Sequence, residues 1–199
     1  MKELREKELE QSDYMRLLCK YLLLLGVGAN IIGAQLVNVF QLPAFLDSVG
    51  TILAAVLMGP ILGALVGLMT NIVLGFLVSH GAFYFAIVNI LIGLITGYIF
   101  KKYPFNLKTV FITSIIISIV ASLSSIIIKY VFFGGLVGKP IDTLTQLLLD
   151  NGLNLITAVS LTGFFANFLD RIISFAIVFI LIGILENNLK IKLIDIKWW

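Results

Sequence analysis

GPILGALVGLMTNIVLGFLVSHGAFYFAIVNILIGLITGYIF, residues 59–100, holds two apolar runs parted by a short break at Ser79-His80-Gly81. Each run approaches the ~20 apolar residues that one helix needs to cross a bilayer. Every fourth residue from Ala55 reads Ala55, Gly59, Gly63, Gly67, Asn71, Gly75, and from Asn89 it reads Asn89, Gly93, Gly97. Farther on, Gly163, Asn167 and Arg171 repeat the spacing, with Ala166, Asp170 and Ser174 on the neighbouring ridge. In lipid, small residues so spaced let helices meet backbone to backbone, and polar residues on the same stripe must face protein. Because polar groups are costly to hold in hydrocarbon, these are candidates for a binding site.

The composition agrees. Of 199 residues, 60% are hydrophobic and 13% charged, and the mean hydropathy is +1.09. A soluble domain carries roughly twice that charged fraction. The apolar runs are continuous, without strand-like alternation, so they specify spanning helices and not barrel strands. A net charge of +3 is no nucleic-acid signal. The single Cys19 excludes an internal disulfide or a cysteine metal site. Residues 1–16 mix Lys2, Arg5 and Lys7 with Glu3, Glu6, Glu8, Glu10 and Asp13, which reads as a cytosolic lead-in and not a cleaved signal.

The expected fold is an all-α membrane protein with six transmembrane helices and a short second helix. A spanning domain covers 17–187, and an interfacial tail covers 188–199. The spans are placed at about 17–40, 47–58, 61–78, 82–100, 107–133 and 164–185. Asp47 or Ser48 caps the second helix, and Gly59-Pro60 breaks before the third. The run 153–185 exceeds one crossing, so a break is expected near Thr162-Gly163. Both termini are placed in the cytosol. This puts Lys2, Arg5, Lys7, Arg16, Lys20, Lys101, Lys102, Lys108, Lys190, Lys192 and Lys197 inside and leaves only Lys129 and Lys139 outside, a strong positive-inside bias.

In that topology Asn38, Asp47, Asn71, Tyr84, Asn89, Asn167, Asp170 and Arg171 all fall in the outer half, above inner segments that are almost wholly apolar. The pattern describes a cup opening outward, not a channel. The plainer readings stand beside it. Asn71 and Asn89 are equally well explained as interhelical glue, worth ~0.6 kcal/mol each. Asp170 and Arg171 point about 100° apart on a helix, so one faces the cup while the other finds a separate partner, or the two neutralise each other. Asp47 is as well explained as an N-cap. His80 and Lys139 belong to outer loops where a gate would lie. Serines and threonines of the fifth helix are expected to bond back to their own backbone.

Enzymatic signatures are missing. One histidine cannot build a His-rich metal site, no Gly-x-Ser-x-Gly elbow is present, and without a Walker sequence the chain cannot itself hydrolyse ATP. No cofactor or metal is expected.

FLDSVGTILAAVLMGP (45–60), GALVGLMTN (63–71) and NFLDRIISF (167–175) together resemble the membrane-embedded S components of energy-coupling factor (ECF) transporters. The resemblance covers about residues 17–187. It implies capture of a vitamin or related small metabolite from outside, with the eight polar residues above as substrate contacts. It also implies delivery by reorientation in a prokaryotic plasma membrane, with a transmembrane coupling protein and two cytosolic ATPases as partners. The first-helix pair Ala29 and Gly33 matches the family's docking stripe, with Gly in place of the second Ala. The alternatives left open are a ligand sensor without ATPases and a purely structural membrane subunit.

Overall fold

The computed structural model describes the backbone of residues 2–138 and 140–189 and the side chains of residues 20–138 and 140–187. Among them it is all helix: α1 Lys2–Phe40, α2 Val49–Met58, α3 Pro60–Leu77, a 3-10 turn His80–Phe83, α4 Ala86–Lys102, α5 Leu107–Phe133, α6 Ile141–Asp150 and α7 Leu155–Leu189. Five helices are long and apolar enough to cross a membrane, and α2 is a shorter apolar one. Its 10 residues rise only about 15 Å, half of a ~30 Å hydrocarbon core.

Local signals set these bounds. Gly59, with φ 89°, makes the reversal between α2 and α3, and Pro60 occupies the first turn of α3, where its missing N–H is no loss. The side-chain oxygen of Asn106 accepts from Thr109 N at 2.9 Å to start α5. Left-handed Gly134 ends α5. Ser48 is the N-cap residue of α2, yet its side chain makes no cap bond. Asn30 of α1 does the work instead, its Oδ1 accepting from Gly50 N at 2.7 Å.

Three expectations change. There is no break at Thr162-Gly163: α7 runs unbroken for 35 residues, about 52 Å. Thr162 donates back to Ala158 O and meets the Thr145 hydroxyl of α6 at 2.7 Å. The segment before it is therefore helix, clasped by α6. Consequently Asn167, Asp170 and Arg171 lie not in the first two turns of the last helix but about 18–24 Å along it. The lead-in is helix continuous with the first span; its side chains and the tail 190–199 fall outside the described residues.

Two small-residue contacts seat the site. A Cβ on Gly93 would stand 2.4 Å from the backbone of Gly63 and Ala64, and one on Gly67 would stand 2.6 Å from Asn89 O. Helices α3 and α4 therefore touch main chain to main chain, as the four-residue stripes require. Below the site the core is Ile52, Val66, Ile92, Ile117, Phe175, Val178 and Ile182, all buried. Thr113, Ser114, Ser118 and Ser125 of α5 bond to their own helix as expected, Thr113 to Thr109 O and Ser118 to Ser114 O each at 2.7 Å, whereas the buried Ser122 hydroxyl finds no partner among the described residues. Large apolar side chains such as Leu24, Ile61, Phe76, Leu123 and Ile180 cover the outside.

Candidate functional site

After α1 ends, residues 41–48 form a bent, non-helical connection that passes from exposed Gln41 and Leu42 to buried Ser48. Leu46 adopts φ 48°, in the left-handed region, a strain of about 1–3 kcal/mol for a non-glycine residue. Asp170 offsets it: Oδ1 accepts from Leu46 N at 2.6 Å and from Phe45 N at 3.2 Å. Oδ2 of Asp170 pairs with the Arg171 guanidinium, which also donates to Ser48 Oγ. Asp170 and Arg171 are both fully buried. The two adjacent residues do neutralise each other, and together they pin the loop to the middle of α7.

Around that anchor lies a cavity of about 80 Å³. Of the residues expected at the site, Asn38, Asp47, Asn71, Asn89, Asn167 and Arg171 line it. Asp170 does not; it stands behind Arg171. Tyr84 does not either, since its ring packs on Phe132 and Phe133 at 4.5 and 5.5 Å, and it is half exposed. His80 is exposed between two lining residues, Ser79 and Gly81. Lys139 lies outside the described residues. Three connections roof the cavity: Phe45 and Asp47, then Val78 to Ala82, then Val137. Phe45, Phe85 and Phe133 supply ring surface, with Phe85 and Phe133 stacked at 6.0 Å. Phe164 and Phe165 are half exposed and take no part.

The asparagines divide into two kinds. Asn30 satisfies every arm. Its Nδ2 donates to Thr51 Oγ1 and Thr70 Oγ1, both at 2.9 Å, while Oδ1 holds Gly50 N. It is a structural knot between α1, α2 and α3 that the sequence reading missed, although Gly26, Asn30 and Ala34 form the same four-residue stripe as the residues it found. In contrast, the amides of Asn71, Asn89 and Asn167 are tied to backbone carbonyls: Gly67 O at 3.1 Å, Asp47 O at 3.3 Å and Gly163 O at 2.8 Å. Asn167 also donates to Ser125 Oγ at 3.0 Å.

Gly33 is engaged within the chain, since a Cβ there would stand 2.0 Å from Leu46 O. It lets the strained loop lie against α1. Ala29 is half-buried, and the outward face of α1 carries Leu24, Leu25, Ile32, Leu36 and Val39.

Lys101, Lys102 and Lys108 are exposed at the α4–α5 turn, the end of the bundle opposite the roof. The cavity thus carries a few polar groups on largely apolar walls, closed by loops at one end and packed against apolar core at the other. Such an enclosure binds and releases a solute; it contains no nucleophile–base pair.

A family model for the substrate-specific component of ECF transporters matches residues 22–182. No curated protein and no solved structure matches the chain. The match runs from α1 to α7 and takes in each wall of the cavity, and S components are substrate-binding membrane subunits and not enzymes. The chain belongs to the substrate-specific components of ECF transporters, as a multi-pass membrane protein.

Proposed function

We propose that this chain is the capture subunit of an ECF importer in a prokaryotic plasma membrane. It takes a vitamin or related small metabolite from outside, with both termini in the cytosol and α2 counted as the short sixth membrane element. A transmembrane coupling protein and two cytosolic ATPases complete the machine, and delivery occurs by reorientation of the loaded bundle. One observation carries the reading: a cavity with polar side chains set in apolar walls, roofed by three connections, lies over an apolar core at the end away from Lys101, Lys102 and Lys108. Basic residues gather on the cytosolic side, so the roof faces out.

A cavity of about 80 Å³ is smaller than the ~300–1,000 Å³ of a small-molecule site. Entry of cargo therefore displaces the roof. The stretch 41–48, non-helical and held by the side chains of Asp170, Arg171 and Asn89, is the part best placed to yield. Asn38, Asp47, Asn71, Asn89, Asn167 and Arg171 contact the solute; Asp170 positions Arg171; Tyr84, His80 and Lys139 belong to the rim. Ala29 remains on the proposed docking face, and Gly33 acts through the loop it supports.

Co-expression with a coupling protein and its ATPase pair tests this. The tagged chain is expected to bring down both ATPases, and right-side-out vesicles loaded with ATP, or cells carrying the complex, should accumulate a labelled vitamin in an ATP-dependent way. A chain that purifies alone from such cells, with no ATP-dependent accumulation of any vitamin tried, overturns the reading.

A further inference from the structure

The orientation of the three tied asparagines identifies a class of cargo. A carbonyl oxygen cannot donate, so Gly67 O, Asp47 O and Gly163 O each require the amide nitrogen of the asparagine that meets them. The side-chain oxygens of Asn71, Asn89 and Asn167 are thereby turned away from those carbonyls. None accepts a hydrogen bond from any described residue, and all three residues line the cavity while being almost wholly buried, at 1%, 3% and 2% exposed. Asn30, whose oxygen is satisfied, shows what a purely structural asparagine does in the same bundle. Arg171 brings one unmet donor to this lining, its buried Nε, but its charge is already paired with Asp170, so the three amide oxygens outnumber it.

We infer that the cavity recognises an uncharged or cationic ring compound through N–H or O–H donors, such as a carboxamide or an amino-substituted heterocycle, and rejects acceptor-only acids of the same shape. The inference rests on the capture reading and narrows it. The physics is that of buried acceptors. A solute bearing donors satisfies the three carbonyl oxygens, whereas a carboxylate finds only the Arg171 Nε–H and leaves its other lone pairs and the three amide oxygens desolvated and unpaired. Phe45, Phe85 and Phe133 provide the apolar faces for the ring.

Matched pairs of small probes test it on the full chain purified in lipid nanodiscs: benzamide against benzoate, nicotinamide against nicotinate, 4-aminopyrimidine against 4-(dimethylamino)pyrimidine. The donor-bearing member of each pair is expected to raise the melting temperature and to bind at least about tenfold more tightly than its partner by calorimetry. Asn71→Leu is the decisive variant, because the Asn71 amide bonds only within its own helix. It should melt like the parent without probe yet lose the response. An acid or dimethyl member that stabilises as well as its partner overturns the inference. So does the absence of a shift with every amide and amine, or a full response from Asn71→Leu. Each of these leaves the capture reading untouched, since complex formation with the ATPases does not depend on the class of solute.

Discussion

Asn30 commits both amide hydrogens and its oxygen to Thr51, Thr70 and Gly50, so its removal leaves the first turn of α2 with an unmet N–H in an apolar interior. Asn30→Leu is expected to lower stability by about 2 kcal/mol, read as a drop in the detergent melting temperature; an unchanged midpoint removes the knot from the account. Asp170 carries more. It holds two loop N–H groups and the Arg171 charge at once, and Asp170→Ala strands a buried guanidinium, at about 3–5 kcal/mol. Replacing both charges, Asp170→Leu with Arg171→Met, should recover much of that stability while capture stays lost. Equal instability of the single and double variants would show that the loop bonds, not the ion pair, dominate. The sequence marked these positions as polar residues in a greasy chain. It was silent on which atoms are committed, because that depends on helices remote in the chain: the partners of Asp170 lie 124 and 125 residues away.

Helix α7 shows where reading by length fails. The break expected at Thr162-Gly163 assumed that a helix ends where hydrocarbon ends. Here α5, 27 residues long, and α6 continue beside α7, so the extra turns are covered by protein and need no interruption. Gly163 admits close packing on Ile126, 3.3 Å from where a Cβ would sit, and breaks nothing. The glycine stripes of α3 and α4, by contrast, were legible, since backbone approach depends only on spacing along each helix. Gly93→Leu is expected to force the pair apart and cost about 1–3 kcal/mol or more, while Gly183→Leu, which meets nothing within 4 Å, should melt like the parent. Melting both variants in parallel checks this; equal losses would mean that the α3–α4 seam is not a close contact.

At the scale of the whole molecule, orientation is the quantity to measure. In a background of Cys19→Ser, a single cysteine at Asn151, in the exposed α6–α7 turn, should react with an impermeant maleimide on intact cells. One at Lys102 should react only after permeabilisation. The reverse pattern turns the cup toward the cytosol and ends the import reading. Distribution of lysine and arginine made this expectation available from sequence alone, whereas the descent of residues 41–48 into the interior was not. That stretch is tied down by a carboxylate on the last helix.

The seam formed by Gly63, Gly67, Gly93 and Asn89 has one more implication. It lies beneath the cavity, and its two chains are already as near as atoms allow, so there is no side chain whose swing would unlatch it. A solute resting above has a single doorway for arrival and departure. On the proposed reading of delivery by reorientation, turnover would follow the tumbling of the entire body in its membrane, as with a ladle and not a pipe, and lipid viscosity would become a rate-setting variable for uptake.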